Sequence, residues 1–353
     1  MKIVKIFITI IVIIAVAVAV LFGVLTITEY NPDDTTEAEL TQNTADIPSV
    51  GESLKIMTWN IGYGALGDNA DFFLDGGSGV MTADSARVNE NMENILGAVN
   101  EIAPDIAMFQ EVDVKSMRSH DINEAALITD RFADYDSSFA YNFKCLFIPY
   151  PLPPIGYVNG GILTISSQSI DESTRYQLPT PYKWPVRLGN LKRCIVVNRI
   201  AVDGTDRELV IVNLHLEAYD DGEGKIAQTQ MLREILNKEA EAGNYVIAGG
   251  DFNQTFSNVD LSAYPTYEGM WTPGVIDVSD FEGWQLYMDD SVASCRSLDK
   301  PFEGADKDSF QYYFIDGFIV SDNITVESVE TVDLDFTASD HNPVVMRFVL
   351  DKR

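Results

Sequence analysis

The chain has 353 residues, 46% of them hydrophobic, which excludes a disordered polymer and supplies enough apolar material for one large domain or two ordinary ones. Its 54 acidic residues against 24 basic ones leave a formal net charge of −30, which repels polyanions over the mean surface and disfavours a tight, non-specific grip on nucleic acid. A local basic strip or a bound divalent cation reverses that field only at one site. The cysteines, Cys145, Cys194 and Cys295, are widely spaced and form no CxxC pair, so neither a zinc site nor a disulfide framework is indicated. Three buried small apolar side chains are expected, with one optional disulfide left open.

Residues 6–27 are apolar apart from Thr9, Gly23 and Thr26, and a helix of that length rises about 33 Å, enough to cross hydrocarbon. The run is a membrane span or a signal sequence. Lys2 and Lys5 precede it, while Glu29, Asp33, Asp34, Glu37 and Glu39 follow. The lysine bias keeps the N-terminus cytoplasmic and sends the rest of the chain across, so the folded part faces the extracytoplasmic side. Ala15, Ala17 and Ala19 fall inside the apolar run rather than after it, which favours an uncleaved anchor over 1–28. Residues 29–52, rich in Thr, Asp, Glu and Asn with Pro32 and Pro48, read as a polar linker without a core. One domain is expected over 53–353.

Within that domain, β-rich runs recur at 54–60, 106–110, 161–166, 194–202, 209–216, 245–248, 315–320 and 344–350, alternating or wholly apolar as half-buried and central strands are. Val88, Met92, Ile95, Leu96, Val99 and Ile102 lie on one helical face. A second helix is predicted over 225–242, with Ile226, Met231, Leu232, Ile235 and Leu236 apolar and Gly243 as its stop. The mixture predicts α/β or α+β packing of sheets against helices.

Chemistry-bearing residues cluster at strand ends. Thr58-Trp59-Asn60-Ile61-Gly62 ends a strand with an amide and a turn, though a turn asparagine explains Asn60 alone. The 106–110 strand delivers Glu111 as it leaves the core, and a hard cation such as Mg²⁺ takes one or two such carboxylates. Asn213-Leu214-His215 puts one of three histidines at another strand end, with Asn213 opposed or flanking. In Gly249-Gly250-Asp251-Phe252-Asn253 the glycines permit a turn or a close approach. Asp251 and Asn253, two apart, share one face in extended geometry and can hold a water or phosphate oxygen, with an Asx-turn as the plainer alternative. Asp316 interrupts an apolar strand, where an unpaired carboxylate is costly. Ser339-Asp340-His341-Asn342-Pro343 supplies its partner: His341 donates to Asp316 while its other nitrogen faces outward, and Asp340 adds a hard oxygen ligand. Arg193, at a strand start, is a candidate for bidentate phosphate contact, against an ordinary surface arginine.

The ordered set TWNI, FQEV, NLHL, GDFN, IDGFIV and SDHNPV, spread over residues 54 to 350, resembles the signature of the endonuclease/exonuclease/phosphatase superfamily. That resemblance implies a four-layer α/β sandwich of two mostly antiparallel sheets flanked by helices, here preceded by one transmembrane helix, with the active site at one end of the sheets. It implies Mg²⁺, with Mn²⁺ as a substitute, held by Asn60 and Glu111 with Asp340 as a further or outer-shell ligand. His215 is implied to contact phosphate or protonate the leaving group, and Asp251 and Asn253 to orient water and phosphate. His341, held by Asp316, is implied as base or transition-state stabiliser, and Asp251 competes for the role of base. Such a set works without a covalent nucleophile: the metal neutralises phosphoryl charge while amide and imidazole donors hold oxygens.

Substrate choice belongs to the loops. Residues 62–83, with Tyr63, Phe72 and Phe73, are expected to form one wall of the cleft. Residues 141–158, aromatic and proline-rich, read as a rigid loop or as a lipid-facing or ligand-stacking wall. The expected function is a phosphodiesterase or phosphatase acting on a lipid head group or small phosphoester outside the cytoplasm, in a monomeric domain tied to the membrane by its N-terminal helix. An extracellular nuclease is the alternative, and a non-catalytic surface-binding module, disfavoured because every motif residue is present, is the third.

Overall fold

Alternation in the strand Ser53–Asn60 sets the first sheet: Leu54 and Ile56 point to one face, Met57 and Trp59 to the other, and all four are buried. A sheet buried on both faces needs a layer on each side. The structure, a computed structural model, describes residues 2–220 and 222–352 and contains those layers. One seven-stranded sheet runs Ile324–Thr331, Val344–Leu350, Ser53–Asn60, Ile106–Asp113, Gly156–Ser166, Asp136–Ile148, Glu39–Thr41. The other, also seven-stranded, runs Thr35–Glu37, Glu172–Gln177, Cys194–Ala201, Glu208–His215, Tyr245–Asp251, Asp316–Ser321, Trp284–Tyr287. Leu54, Ile56 and Met108 of the first sheet meet Leu209, Ile211, Ile247 and Phe318 of the second between the layers.

Among the described residues each sheet has one parallel pair, and each pair is joined by a helix. Ser53–Asn60 and Ile106–Asp113 pair in parallel across the helix Ser85–Ile102; Glu208–His215 and Tyr245–Asp251 do so across the helix Glu223–Glu241. The first helix begins where Asp84 accepts from Arg87 N at 2.9 Å and ends at Ala103, left-handed at φ 48°, just before Pro104. Its predicted face is buried: Val88, Met92, Ile95, Leu96 and Val99 pack under the first sheet with Trp59 and Phe109. In the second helix Leu232 and Leu236 reach the core, but Ile226 stays 69% exposed, outside the face predicted for it.

Two expectations are corrected. Residues 29–52 are not a free linker: Thr35–Glu37 and Glu39–Thr41 add an edge strand to each sheet, and the backbone N–H groups of Asn43 and Thr44 donate to Asp136 at 2.5 and 2.9 Å. A polar segment suits that place, because an edge strand takes backbone bonds from one neighbour and shows its side chains to water. Nor is 141–158 one loop. Residues up to Ile148 extend a strand and Gly156 begins the next, leaving a tip over 149–155 that collects Pro151, Pro153 and Pro154, which cannot serve a central ladder.

The cysteines are free and buried, as expected of small apolar side chains. At the N-terminus the helix Lys2–Ile27 is apolar all round, buries only Leu25, and is long and apolar enough to cross a membrane.

Candidate active site

Both parallel pairs end at one edge of the sandwich, so four motif residues converge: Asn60 and Glu111 from the first sheet, His215 and Asp251 from the second. Asn60 bridges the sheets, its Nδ2 donating to Asp251 Oδ2 at 3.0 Å and lying 3.3 Å from Glu111 Oε1. Below this bridge a buried amide seam fixes the two layers: Gln110 donates to Asn213 at 2.9 Å, and Asn213 donates to the Leu163 carbonyl at 3.0 Å. Asn213 therefore belongs to the buried seam between the sheets and does not line the cavity. Glycine makes the convergence sterically feasible. Gly62 has φ +52°, and a Cβ there would lie 2.9 Å from Asp340 Oδ1; one on Gly250 would lie 1.9 Å from the Leu214 carbonyl oxygen.

The predicted Asp–His pair is present: His341 Nδ1 lies 2.8 Å from Asp316 Oδ2 and both are buried. Asp316 thus fixes the tautomer and leaves Nε2 in the cavity, 3.9 Å from Asp251 and 4.0 Å from Asp340. His215 Nε2 is 3.4 Å from the same Asp251 oxygen and 4.0 Å from Glu111. Asp251 is the hub. Its other oxygen accepts from Asn253 N at 2.8 Å, an Asx-turn made as Asn253 enters the left-handed region at φ 50°. The strand ends at Asp251, so the two do not share an extended face, and Asn253 Nδ2 donates to the Leu216 carbonyl at 2.9 Å.

Burial and crowding set the charges. Burial, then the neighbouring Asp316 charge, push Asp251 up to about 7 despite the opposing His341, Asn253 and Asn60. Burial raises Asp340 to about 6, with His341 opposing and Glu111 adding to the rise. Burial works most strongly against a charged His341, but Asp316, through its charge and hydrogen bond, together with Cys295 and Asp340, holds the imidazole well above its ordinary range. Burial, with Arg193 and His341 nearby, drops His215 well below that range.

The cavity, with about 200 Å³ of room, is lined by Asn60, Glu111, Arg193, His215, Asp251, Asn253, Asp340 and His341. Arg193 differs from its expected role: its Nε sits 3.4 Å from Glu217 and its Nη1 donates to the His215 carbonyl at 3.4 Å, so it is engaged with protein rather than offering an open fork. Arg118 was not anticipated. It grips Asp113 with two bonds of 3.0 Å, lies 3.7 Å from the centre of the Tyr63 ring, and brings a cation beside Glu111. Only Asp113, two residues beyond Glu111, hinted at it in the sequence. The 62–83 segment supplies one wall through Tyr63, Phe72, Leu74 and Asp75, and Asp75 accepts from the Tyr219 hydroxyl at 3.1 Å across the mouth.

The donor set suits a hard divalent cation. Glu111 and Asp340 turn carboxylates into the cavity with side chains 24% and 9% exposed, and the local excess of acid over base calls for positive charge. Asn60 presents Nδ2 to the carboxylates, while its Oδ1 accepts from Gly62 N at 3.0 Å; a half-turn of the amide exchanges the two. Cys295, Asp340 and His341 also come within 4.8 Å of one another, and burial pushes the Cys295 thiol up to about 12; a soft sulfur suits a hard divalent cation less well than the carboxylates do.

Two helix-flanked sheets with acids, amides and imidazoles gathered at one edge have the arrangement of the DNase-like fold. The chain belongs to the Endonuclease/Exonuclease/phosphatase family, whose sequence profile matches residues 57–341 and whose enzymes use divalent metal ions. Solved structures agree on the fold. An endonuclease/exonuclease/phosphatase from Beutenbergia cavernae DSM 12333 superposes with a TM-score of 0.54 at 16% identity, covering 85% of this chain and 72% of that one. The human Nocturnin catalytic domain with bound sulfate gives 0.51 at 18% identity, covering 89% and 97%. A Bacteroides vulgatus family member gives 0.51 at 15% identity, covering 85% and 100%. No curated protein matches the chain.

Proposed function

We propose that this protein is a Mg²⁺-dependent phosphodiesterase or phosphatase, with Mn²⁺ as a substitute ion, anchored by its N-terminal helix with the catalytic domain on the extracytoplasmic side. Its substrate is a lipid head group or small phosphoester. The observation that carries the reading is the meeting of Asn60, Glu111, His215, Asp251, Asp340 and the His341–Asp316 pair in one cavity. The apolar walls and the net charge of −30 support a small or lipid ester over a nucleic acid.

Glu111 and Asp340, with the Asn60 amide, would hold the ion, which would supply charge neutralisation at the phosphoryl group. Asp251 takes the proton of the attacking water: it is held by Asn60 and Asn253, and its pKa near 7 suits a base at neutral pH. His341, kept cationic by Asp316, donates from Nε2 to a phosphoryl oxygen as negative charge develops. His215, neutral, donates to a phosphate oxygen or to the leaving group, and Arg118 adds positive charge at the cavity wall.

Full-length protein in detergent, given Mg²⁺ and tested on phospholipid, bis(p-nitrophenyl) phosphate and plasmid DNA, separates the readings. Turnover of lipid or the small ester is expected. Cleavage of DNA alone overturns the substrate assignment in favour of a nuclease, and Mg²⁺-dependent turnover of none of the three sinks the enzymatic reading.

A further inference from the structure

The N-terminal helix meets the domain beside the mouth of the cleft. In its last turns Phe22 lies 6.0 Å from Trp184, ring to ring, and Trp184 Nε1 donates to Thr26 Oγ1 at 3.1 Å. Just past the helix, Glu29 pairs with Lys192 at 3.0 Å and Arg187 at 3.2 Å, which ties the exit of the helix to the same loop. That loop lines the cleft through Gly189, Asn190 and Leu191. Ile148 and Ile155, flanking the hairpin tip, pack with Leu191, and Cys145 Sγ donates to the Leu188 carbonyl at 3.2 Å. From the tip, Tyr150 reaches Phe73 on the opposite wall, with ring centres 6.1 Å apart. Contacts therefore run unbroken from the end of the helix, along the 184–191 loop, to the hairpin tip and across the mouth.

Large apolar groups along this line stand in water: Leu152 is 87% exposed, Tyr150 70%, Val186 58% and Trp184 54%. Scattered singly they would mean nothing, but here they adjoin an apolar helix long enough to cross a bilayer. Trp184 is preceded by Lys183 and followed at short range by Arg187, the mixture of aromatic and cationic side chains that favours the boundary between head groups and acyl chains.

The geometry points to a membrane-inserting rim: Tyr150, Leu152, Trp184 and Val186 enter the surface of the bilayer that holds the N-terminal helix, so the cleft opens against that bilayer and takes the phosphoester head group of one of its lipids. This rests on the phosphoesterase reading and narrows its substrate class. The rim makes no direct contact with the reacting atoms and acts by placing the cavity at head-group depth.

The test uses the full chain reconstituted in vesicles of phosphatidylcholine and phosphatidylglycerol. Lipids brominated near the head group should quench tryptophan fluorescence, and part of that quenching should vanish in Trp184→Phe; no Trp184-dependent quenching overturns the rim. The double variant Leu152→Glu with Val186→Glu should hydrolyse vesicle phospholipid more slowly by on the order of tenfold, with its rate on soluble bis(p-nitrophenyl) phosphate unchanged. An unchanged lipid rate, an equal loss on both substrates, or wild-type turnover of the soluble ester without any lipid hydrolysis each overturns the inference alone. Failure of both substrates with Mg²⁺ strikes instead at the phosphoesterase reading beneath it.

Discussion

The two strand–helix–strand halves share a plan and differ in how they present their acids. In the first, the ladder of Ile106–Asp113 slips between Phe109 and Val112, and Glu111 takes φ 54°, which turns its carboxylate outward with 24% exposure. In the second, Tyr245–Asp251 stays paired on both sides to its end, Asp251 facing His215 in one neighbour and Asp316 in the other, and its side chain is 2% exposed. A bulge re-aims a side chain, whereas an unbroken central strand buries one. Solvation therefore separates two chemically similar carboxylates: the accessible one suits a cation that keeps waters, and the desolvated one suits proton transfer near neutral pH.

The largest expected effect is on the buried half. Asp251→Asn should lower kcat on the order of 10³-fold while the Mg²⁺ concentration for half-maximal rate stays within a few-fold. A loss of only a few-fold would break the division just drawn. Glu111→Gln should sharpen it from the other side: a fall on the order of 10²-fold at fixed Mg²⁺, with the half-maximal Mg²⁺ raised roughly tenfold in a metal titration. An unmoved midpoint would remove Glu111 from the ion's ligands. Asp316→Asn should reduce kcat roughly thirty-fold by loosening the tautomer and charge of His341, again without shifting the Mg²⁺ midpoint.

A subtler difference lies in stability against pH. Without divalent ions, the raised values of Asp75 (about 7), Asp251 (about 7) and Asp340 (about 6), against 3.8 for a free carboxyl, mean that the fold binds protons more tightly than the unfolded chain. Their contribution to stability is fully present below about pH 3.8 and is lost as pH rises toward 7; His341, also raised, acts with the same sign. Thermal melts in EDTA should show Asp251→Asn and Asp340→Asn flattening the decline of Tm between pH 5 and 8 relative to wild type, and Mg²⁺ should restore wild-type Tm most at the upper end. Variants that leave the slope unchanged would show that these acids bind no extra proton in the fold over that range. Least affected in chemistry should be the outer cores: Met92→Ala and Leu232→Ala, each buried under one half, should cost about 2–5 kcal/mol of stability with kcat per folded molecule unchanged.

Much of this was legible because it is written locally. Apolar periodicity announced both crossover helices and most strands, and an unpaired acid inside the apolar strand 315–320 demanded a partner, which the Asp340-His341 motif supplied. Other features had no local mark. Arg118 stands in an irregular loop, and only its bond to Asp113 and its stacking on Tyr63 bring it into the cavity. Arg193 looked available until Glu217 and the His215 carbonyl engaged it. Segment 35–41 has the composition of a linker, yet two free sheet edges recruit it through its backbone, which every sequence shares.

By itself, then, the sequence determined the kinds of groups at the site, the helices and strands that carry them, and a helix that water does not suit, because side-chain type and period are properties of neighbours along the chain. Only the tertiary structure decided which carboxylate is dry and which is wet, which arginine is already engaged, and that the N-terminal apolar helix ends beside the cleft. Solvation and pairing depend on residues a hundred or more positions away, and no local pattern encodes them.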